Sequence, residues 1–123
     1  MISGTVNTQL EIIILLPIQD EAGNVVIVES MLDTGFTGSL TLPPSVISTL
    51  GLHWHSRGDA ILADGSVHQL EVYFATVLWD GVPRQTLVQA IDNVSLLGMS
   101  MLVGHDLRVR IQVGGPAEIE VVP

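Results

Sequence analysis

The chain has 123 residues, 13 acidic against 4 basic side chains, a formal charge of −9 and a hydrophobic fraction of 47%. That length fits one domain, that apolar content excludes a disordered chain, and that acidity argues against nucleic-acid and anionic-membrane partners. With no cysteine, disulfides, thiolate nucleophiles and cysteine-based zinc sites are excluded.

Short apolar runs separated by Gly, Asp, Asn and Pro predict a succession of short strands. Gln9–Pro17 reads as one strand and Asn24–Leu32 as the next, joined by "IQDEAGN" with glycine at the turn. Within them "EIIILLPI" (11–18) is far shorter than the roughly 20 residues a membrane span needs. It also lacks the basic flank and cleavage site of a secretory signal, so a cytoplasmic protein is expected. "PPSVISTLGL" (43–52) predicts a helix of about two turns, with Pro44 first, Val46, Ile47 and Leu50 on one face and Gly51 as the cap.

Two Asp-Gly pairs follow, Asp64-Gly65 within 60–72 and Asp80-Gly81 within 75–88. Asp-Gly between apolar runs predicts a hairpin, because a type I′ turn needs positive φ at both central residues. A helical turn is expected near "GMSMLVG" (98–104). Residues 107–122 predict two half-exposed antiparallel strands, turning at Gly114-Gly115-Pro116. The sum is an all-β domain with one or two short helices, and turns this frequent favour a barrel or sandwich.

The stretch "MLDTGFTG" (31–38) interrupts this pattern with a carboxylate. The Asp-Thr-Gly triplet arises in about 4% of shuffled chains of this composition, so its context must carry the argument. An Asx turn, in which Asp33 accepts backbone N–H groups, is the plain reading. Met31 and Leu32, however, deliver Asp33 at the end of an apolar strand. Thr34 adds a hydroxyl, Gly35 permits close approach of another chain, and Thr37 and Gly38 repeat that combination. One carboxylate is a limited catalyst, but two brought together by two-fold symmetry share a proton and so supply both a base and an acid.

The stretch "MLDTGFTG" resembles the active-site loop of retropepsin-like aspartic proteases, half-size relatives of pepsin that work as homodimers. The hairpin Ala60–Phe74, with its tip at Asp64-Gly65, resembles the flap that closes over bound peptide. "SLLGMSMLVG" (95–104) resembles the two apolar residues and glycine that pack beneath the catalytic loop. The resemblance covers roughly 24–113. It implies a closed-barrel, all-β retropepsin-like (acid protease) fold in a two-fold homodimer. The implied activity is that of an aspartic endopeptidase acting on peptide or protein substrates, with no cofactor and no metal. Asp33 would be the catalytic carboxylate, Thr34 the hydroxyl that braces both loops across the dimer, and Gly35 the point where they meet. Ala63, Asp64, Gly65 and Ser66 would form the flap tip, and Leu96, Leu97 and Gly98 the support. The terminal segment Glu118–Val122 would join a sheet across the dimer.

The chain departs from the family at Phe36, where alanine is frequent, and in a flap tip with fewer glycines than the viral members. The helix at 44–50 resembles cellular and bacterial members. A rival reading is a non-catalytic β domain that binds peptide as a dimer, with the Phe36 ring filling the cleft. Elsewhere His53 and His55 could form a metal pair with Asp59 or His68 as a third ligand, or simply line a solvated strand. "GxSxG" is absent, and "GGP" (114–116) reads as a turn. Trp79 is expected in the core rather than in a groove wall.

Overall fold

Runs such as Ile12–Ile18 alternate residues between two faces, so each strand buries one face only and needs neighbours to cover it. The computed structural model describes residues 1–61 and 63–123; Leu62, inside the expected flap hairpin, lies outside the described residues. In chain order the strands are β1 (Ile2–Val6), β2 (Ile12–Gln19), β3 (Val25–Leu32) and β4 (Leu40–Leu42). They continue with β5 (Trp54–Ile61), β6 (Val67–Trp79), β7 (Val82–Ala90), β8 (Leu96–Leu97), β9 (His105–Val109) and β10 (Pro116–Val121). Helix α1 (Pro44–Leu50) follows β4, and a 3-10 helix (Met99–Leu102) follows β8. No helix among the described residues is long and apolar enough to cross a membrane.

The strands form one sheet in the order β5-β6-β7-β4-β8-β3-β2-β1-β10-β9. β2 also pairs with β6, at Ile18 and Gln19, so the pairings from β6 through β7, β4, β8 and β3 return to β2 as a closed circuit. Ile14, Leu16 and Ile18 of β2, Val77 of β6, Val88 of β7 and Leu97 of β8 are buried together in the core cluster. Ile47 and Leu50 of α1 join them. α1 follows its expectation: Pro44 opens it, and Gly51 closes it in the left-handed region at φ 66°.

Several boundaries differ from the sequence expectation, each for a physical reason. The first expected strand, Gln9–Pro17, starts later and runs further, at Ile12–Gln19. The Asn7 side chain accepts the N–H groups of Gln9 (3.0 Å) and Glu11 (2.9 Å), and Leu10 sits at φ 61°, so residues 7–11 form a tight turn. Pro17 stays within the strand because β1 pairs with Ile12–Ile14 and β6 with Ile18–Gln19, leaving an unpaired edge at its position. The two Asp-Gly hairpins share the 13-residue β6. Asp80 and Gly81 both adopt positive φ (53° and 80°), as a type I′ turn demands. At the other pair only Gly65 does (84°); there the Asp64 carboxylate instead accepts the Ser66 N–H at 2.8 Å. Glu118–Val121 is correctly read as strand; β9 runs along one side of β10, and β1 pairs along the other only from Pro116 to Ile119. The outer strands of the sheet are β5 and β9.

One buried hydroxyl fastens the sheet where β4 meets β8. Thr41, fully buried, donates to the Val94 carbonyl (3.1 Å) and accepts the Leu96 N–H (2.9 Å). Thr41→Val preserves the shape and leaves both backbone groups unpaired. It is expected to cost about 1–3 kcal/mol, read as a lower urea midpoint with an unchanged slope.

Candidate active site

β3 and β4 do not pair with each other. β8 lies between them, parallel to β3 (Met31 opposite Leu96, Leu32 opposite Leu97) and antiparallel to β4 (Leu40 opposite Leu97). Residues 33–39 therefore cross from β3 to β4 around the end of β8. The crossing is clasped at several points. The Asp33 N–H donates to the Leu97 carbonyl (3.0 Å), and the Gly98 N–H donates to the Ser39 carbonyl (2.9 Å). The Met99 and Ser100 N–H groups donate to the carbonyls of Phe36 (2.8 Å) and Gly38 (3.2 Å). The hydroxyls of Ser39 and Ser100 lie 2.6 Å apart, and those of Ser30 and Ser95 lie 3.0 Å apart beneath the strand end.

Within this clasp Asp33 is half-buried, and its Oδ1 accepts the Gly35 N–H at 2.9 Å. The Asx turn foreseen as the plain reading is thus present, and it orients the carboxylate at the mouth of the strand. Thr34 and Gly35 are exposed. Leu97 is fully buried beneath the loop, with Leu96 half-buried beside it. Asp33–Gly35 and Leu96–Gly98 are therefore brought together by hydrogen bonds and strand pairing.

Phe36 does not extend away from the loop. A Cβ on Gly38 would lie 2.6 Å from the ring's Cζ, and one on Gly98 would lie 2.6 Å from its Cδ2 and overlap the Gly38 carbonyl oxygen. The ring thus lies across both glycines, in space that side chains there would otherwise fill. Its packing gives no support to the rival expectation that it fills a cleft.

The expected flap begins and ends about three residues earlier than the sequence suggested. β5 and β6 pair from Trp54 to Tyr73, whereas β6 joins β7 only from Val72 onward, so residues 57–71 project as a two-stranded ribbon. Ala63, Asp64 and Gly65 are exposed at its tip and Ser66 is half-buried. Among the described residues no hydrogen bond joins them to the Asp33 loop. The Ser66 hydroxyl and N–H hold the Asp64 carboxyl below the ordinary aspartate value. At the ribbon's base Glu71 accepts the Trp54 indole N–H (2.6 Å) and the Arg57 Nε–H (2.7 Å). Those two donors, the indole first, hold its carboxyl below the ordinary glutamate value.

Two of the candidate histidines, His55 and His68, are drawn into other contacts. The exposed His55 ring meets Phe74 edge-on, with centroids 4.7 Å apart, and its Nδ1 lies 2.7 Å from the Ser56 hydroxyl. His68 lies 3.1 Å from the Ser66 hydroxyl. Among the described residues no three His, Asp or Glu side chains converge as metal ligands. Trp79 is buried in the core as expected; its indole N–H donates to His105 Nε2 at 3.1 Å. Arg84, which no motif marked, lies over the Trp79 ring and donates to the Met101 carbonyl at 2.9 Å, fastening the 3-10 helix to β7. An apolar groove of about 470 Å³ runs between β3 and α1, lined by Val26, Val28, Pro43, Val46 and Leu50.

No protein-family profile and no curated protein matches the chain by sequence. Among solved structures the chain is similar to a retropepsin-like aspartic protease from Rickettsia conorii. The two share 18% identity with a TM-score of 0.60, over 99% of this chain and 92% of the other. The chain therefore has the retropepsin-like fold.

Two outcomes follow from the loop and the ribbon. Gly38→Ala should destabilise the protein by about 1–3 kcal/mol through overpacking against the ring, and Phe36→Ala by a similar amount through the void it leaves. The double variant should cost at least about 1 kcal/mol less than the sum, because the new methyl enters the vacated space; strict additivity would refute this packing. As a depressed carboxylate, Glu71 holds its clamp at pH above the ordinary glutamate value and loses it as pH falls through the lowered folded value. The Trp54 indole N–H resonance should accordingly titrate with a midpoint below the ordinary glutamate value, and Glu71→Gln should remove that step.

Proposed function

We propose that the chain is an aspartic endopeptidase that works as a two-fold homodimer, in which two Asp33 carboxylates activate one water. The observation that carries this reading is the clasped Asp33 loop. In the fold of an aspartic protease, a carboxylate stands at the end of β3, oriented by the Gly35 N–H and held from below by Leu97 and Gly98. The closed circuit of six strands is read as the barrel of this fold. Thr34, exposed beside Asp33, is available to bond across the two-fold axis.

Two carboxylates about 3 Å apart repel by about 5 kcal/mol at an effective dielectric near 20, so the pair retains one shared proton. The ionised member takes a proton from the water as the water oxygen attacks the peptide carbonyl carbon, and the protonated member donates its proton to the carbonyl oxygen. Collapse of the tetrahedral intermediate, with a proton delivered to the amide nitrogen, breaks the C–N bond and restores the singly protonated pair. The chemistry requires neither metal nor cofactor.

Ribbons 57–71, one from each chain, would cover an extended peptide, with main-chain bonds giving affinity and alternate side chains giving choice. A dimer carries twice the −9 charge of one chain, and part of that charge sits at each tip as the Asp64 carboxylate, held in its charged form by Ser66. Acidic peptides are therefore expected to be poor substrates near neutral pH.

Mass spectrometry of an unfolded peptide mixture, from about pH 3.5 to 7.5, tests the reading. Wild-type cleavage should rise toward acid pH and vanish in Asp33→Asn, which keeps the loop's shape. Cleavage that survives in that variant, or that is flat across the range, would exclude the dyad. A folded dimer that cuts nothing would leave a peptide-binding role.

A further inference from the structure

From the strand face that carries Asp33, we infer that the site takes a basic residue, lysine or arginine, beside the scissile bond, with Glu11 and Glu29 as the carboxylates that select it. This rests on the reading of Asp33 as the catalytic carboxylate and deepens it by naming the class of substrate.

The faces of β3 place the groups. The Asp33 N–H donates to the Leu97 carbonyl (3.0 Å), so Asp33 prolongs the parallel ladder of β3 and β8. Its side chain therefore falls on the same face as Met31 and Glu29, while Leu32, Ser30 and Val28 turn to the buried face. Along that face Met31 lies about 7 Å from Asp33 and Glu29 about 13 Å. Neighbouring strands complete the surface. Ile13 of β2 lies opposite Met31 on one side, and Leu96 of β8 lies opposite it on the other. The β2–β3 register, carried two residues past Ile13, sets Glu11 opposite Asp33. An apolar row of Ile13, Met31 and Leu96 thus has Glu11 on one side and Glu29 on the other.

A cavity of about 280 Å³ lies over this row, and its lining includes Glu11, Ile13, Glu29, Met31, Val94 and Leu96. The wall is held in place, because the Met31 N–H donates to the Ser95 carbonyl (2.9 Å) and the Leu96 N–H to the Thr41 hydroxyl (2.9 Å). The Asn7 side-chain amide donates to Glu11 Oε1 at 2.9 Å, which steadies that carboxylate and leaves its second oxygen for a ligand. No ion pair among the described residues engages Glu11 or Glu29. A lysine or arginine side chain combines an apolar stem with a cationic head. The stem lies on the apolar row, and the head supplies the counter-charge that both carboxylates lack. An uncharged apolar side chain would cover the row and strip water from the carboxylates without compensation. An acidic one would meet like charge.

Peptides that differ at a single residue, Lys, Met or Glu, test the pocket. Lysine and methionine have unbranched stems, so their ratio reads the charge. The wild type should cut beside Lys with kcat/KM at least about fivefold above that beside Met, as two partly exposed ion pairs allow, and least well beside Glu. Rising salt should shrink the Lys-to-Met ratio, a check that needs no variant. E11Q/E29Q should lower that ratio at least about threefold, whereas D106N, on the outer strand β9, should leave it unchanged. Cleavage with no preference for Lys, or a preference that E11Q/E29Q leaves intact, would overturn the pocket and keep the protease. If the wild type cuts nothing, the same peptides, end-labelled and titrated onto it by fluorescence anisotropy, decide. Tighter binding of the Lys peptide that weakens in E11Q/E29Q keeps the pocket and sinks the catalytic reading. Equal or undetectable binding of all three sinks both.

Discussion

The clasp between residues 33–39 and 97–100 is the interaction on which the rest of this molecule depends. A carboxylate at a strand end is useful to chemistry only if its backbone cannot drift, and a seven-residue loop would drift if left alone. Here β8 is inserted between the two strands the loop connects, so the loop's backbone bonds reach a third element rather than only its own ends. The approach is close enough that Gly98 has no room for a side chain beside the Gly38 carbonyl. The Phe36 ring then occupies the space over both glycines, making one packing unit of a bulky residue and two absent side chains.

Around that floor, packing is unevenly distributed. The strands under the loop are buried and paired on both edges, with Thr41, Ser30 and the Ser39–Ser100 pair satisfying polar groups that would otherwise be orphaned there. The ribbon 57–71 has only its own two strands to hold it, and its base is gripped by the Glu71 carboxylate. Segments with few packed neighbours open at low free-energy cost.

The two outer strands of the sheet are backed differently. β5 runs into the ribbon, where β6 is its one partner strand. β9 is short, is backed by β10 and comes soon after the 3-10 helix that clasps the Asp33 loop.

What the sequence determined by itself was local. Pro44 and Gly51 bracket a helix because each carries its own φ requirement, Asp80-Gly81 makes a tight turn for the same reason, and Asp33 ends an apolar strand because Leu32 and Met31 precede it. The order of the Asp-Thr-Gly, the hairpin and the Leu-Leu-Gly was also legible, since order is a property of the chain. The tertiary structure decided everything that depends on distance between remote residues. β1 exists because β2 and β10 pair with it, not because "ISGTV" is a strong strand on its own. The pairing of β10 with β1 and β9, the turning of Phe36 onto Gly98, and the Ser39–Ser100 bond across 61 residues of sequence all come from packing. Dihedral preference is carried by each residue alone, whereas a neighbour across a sheet is chosen only when the whole core closes.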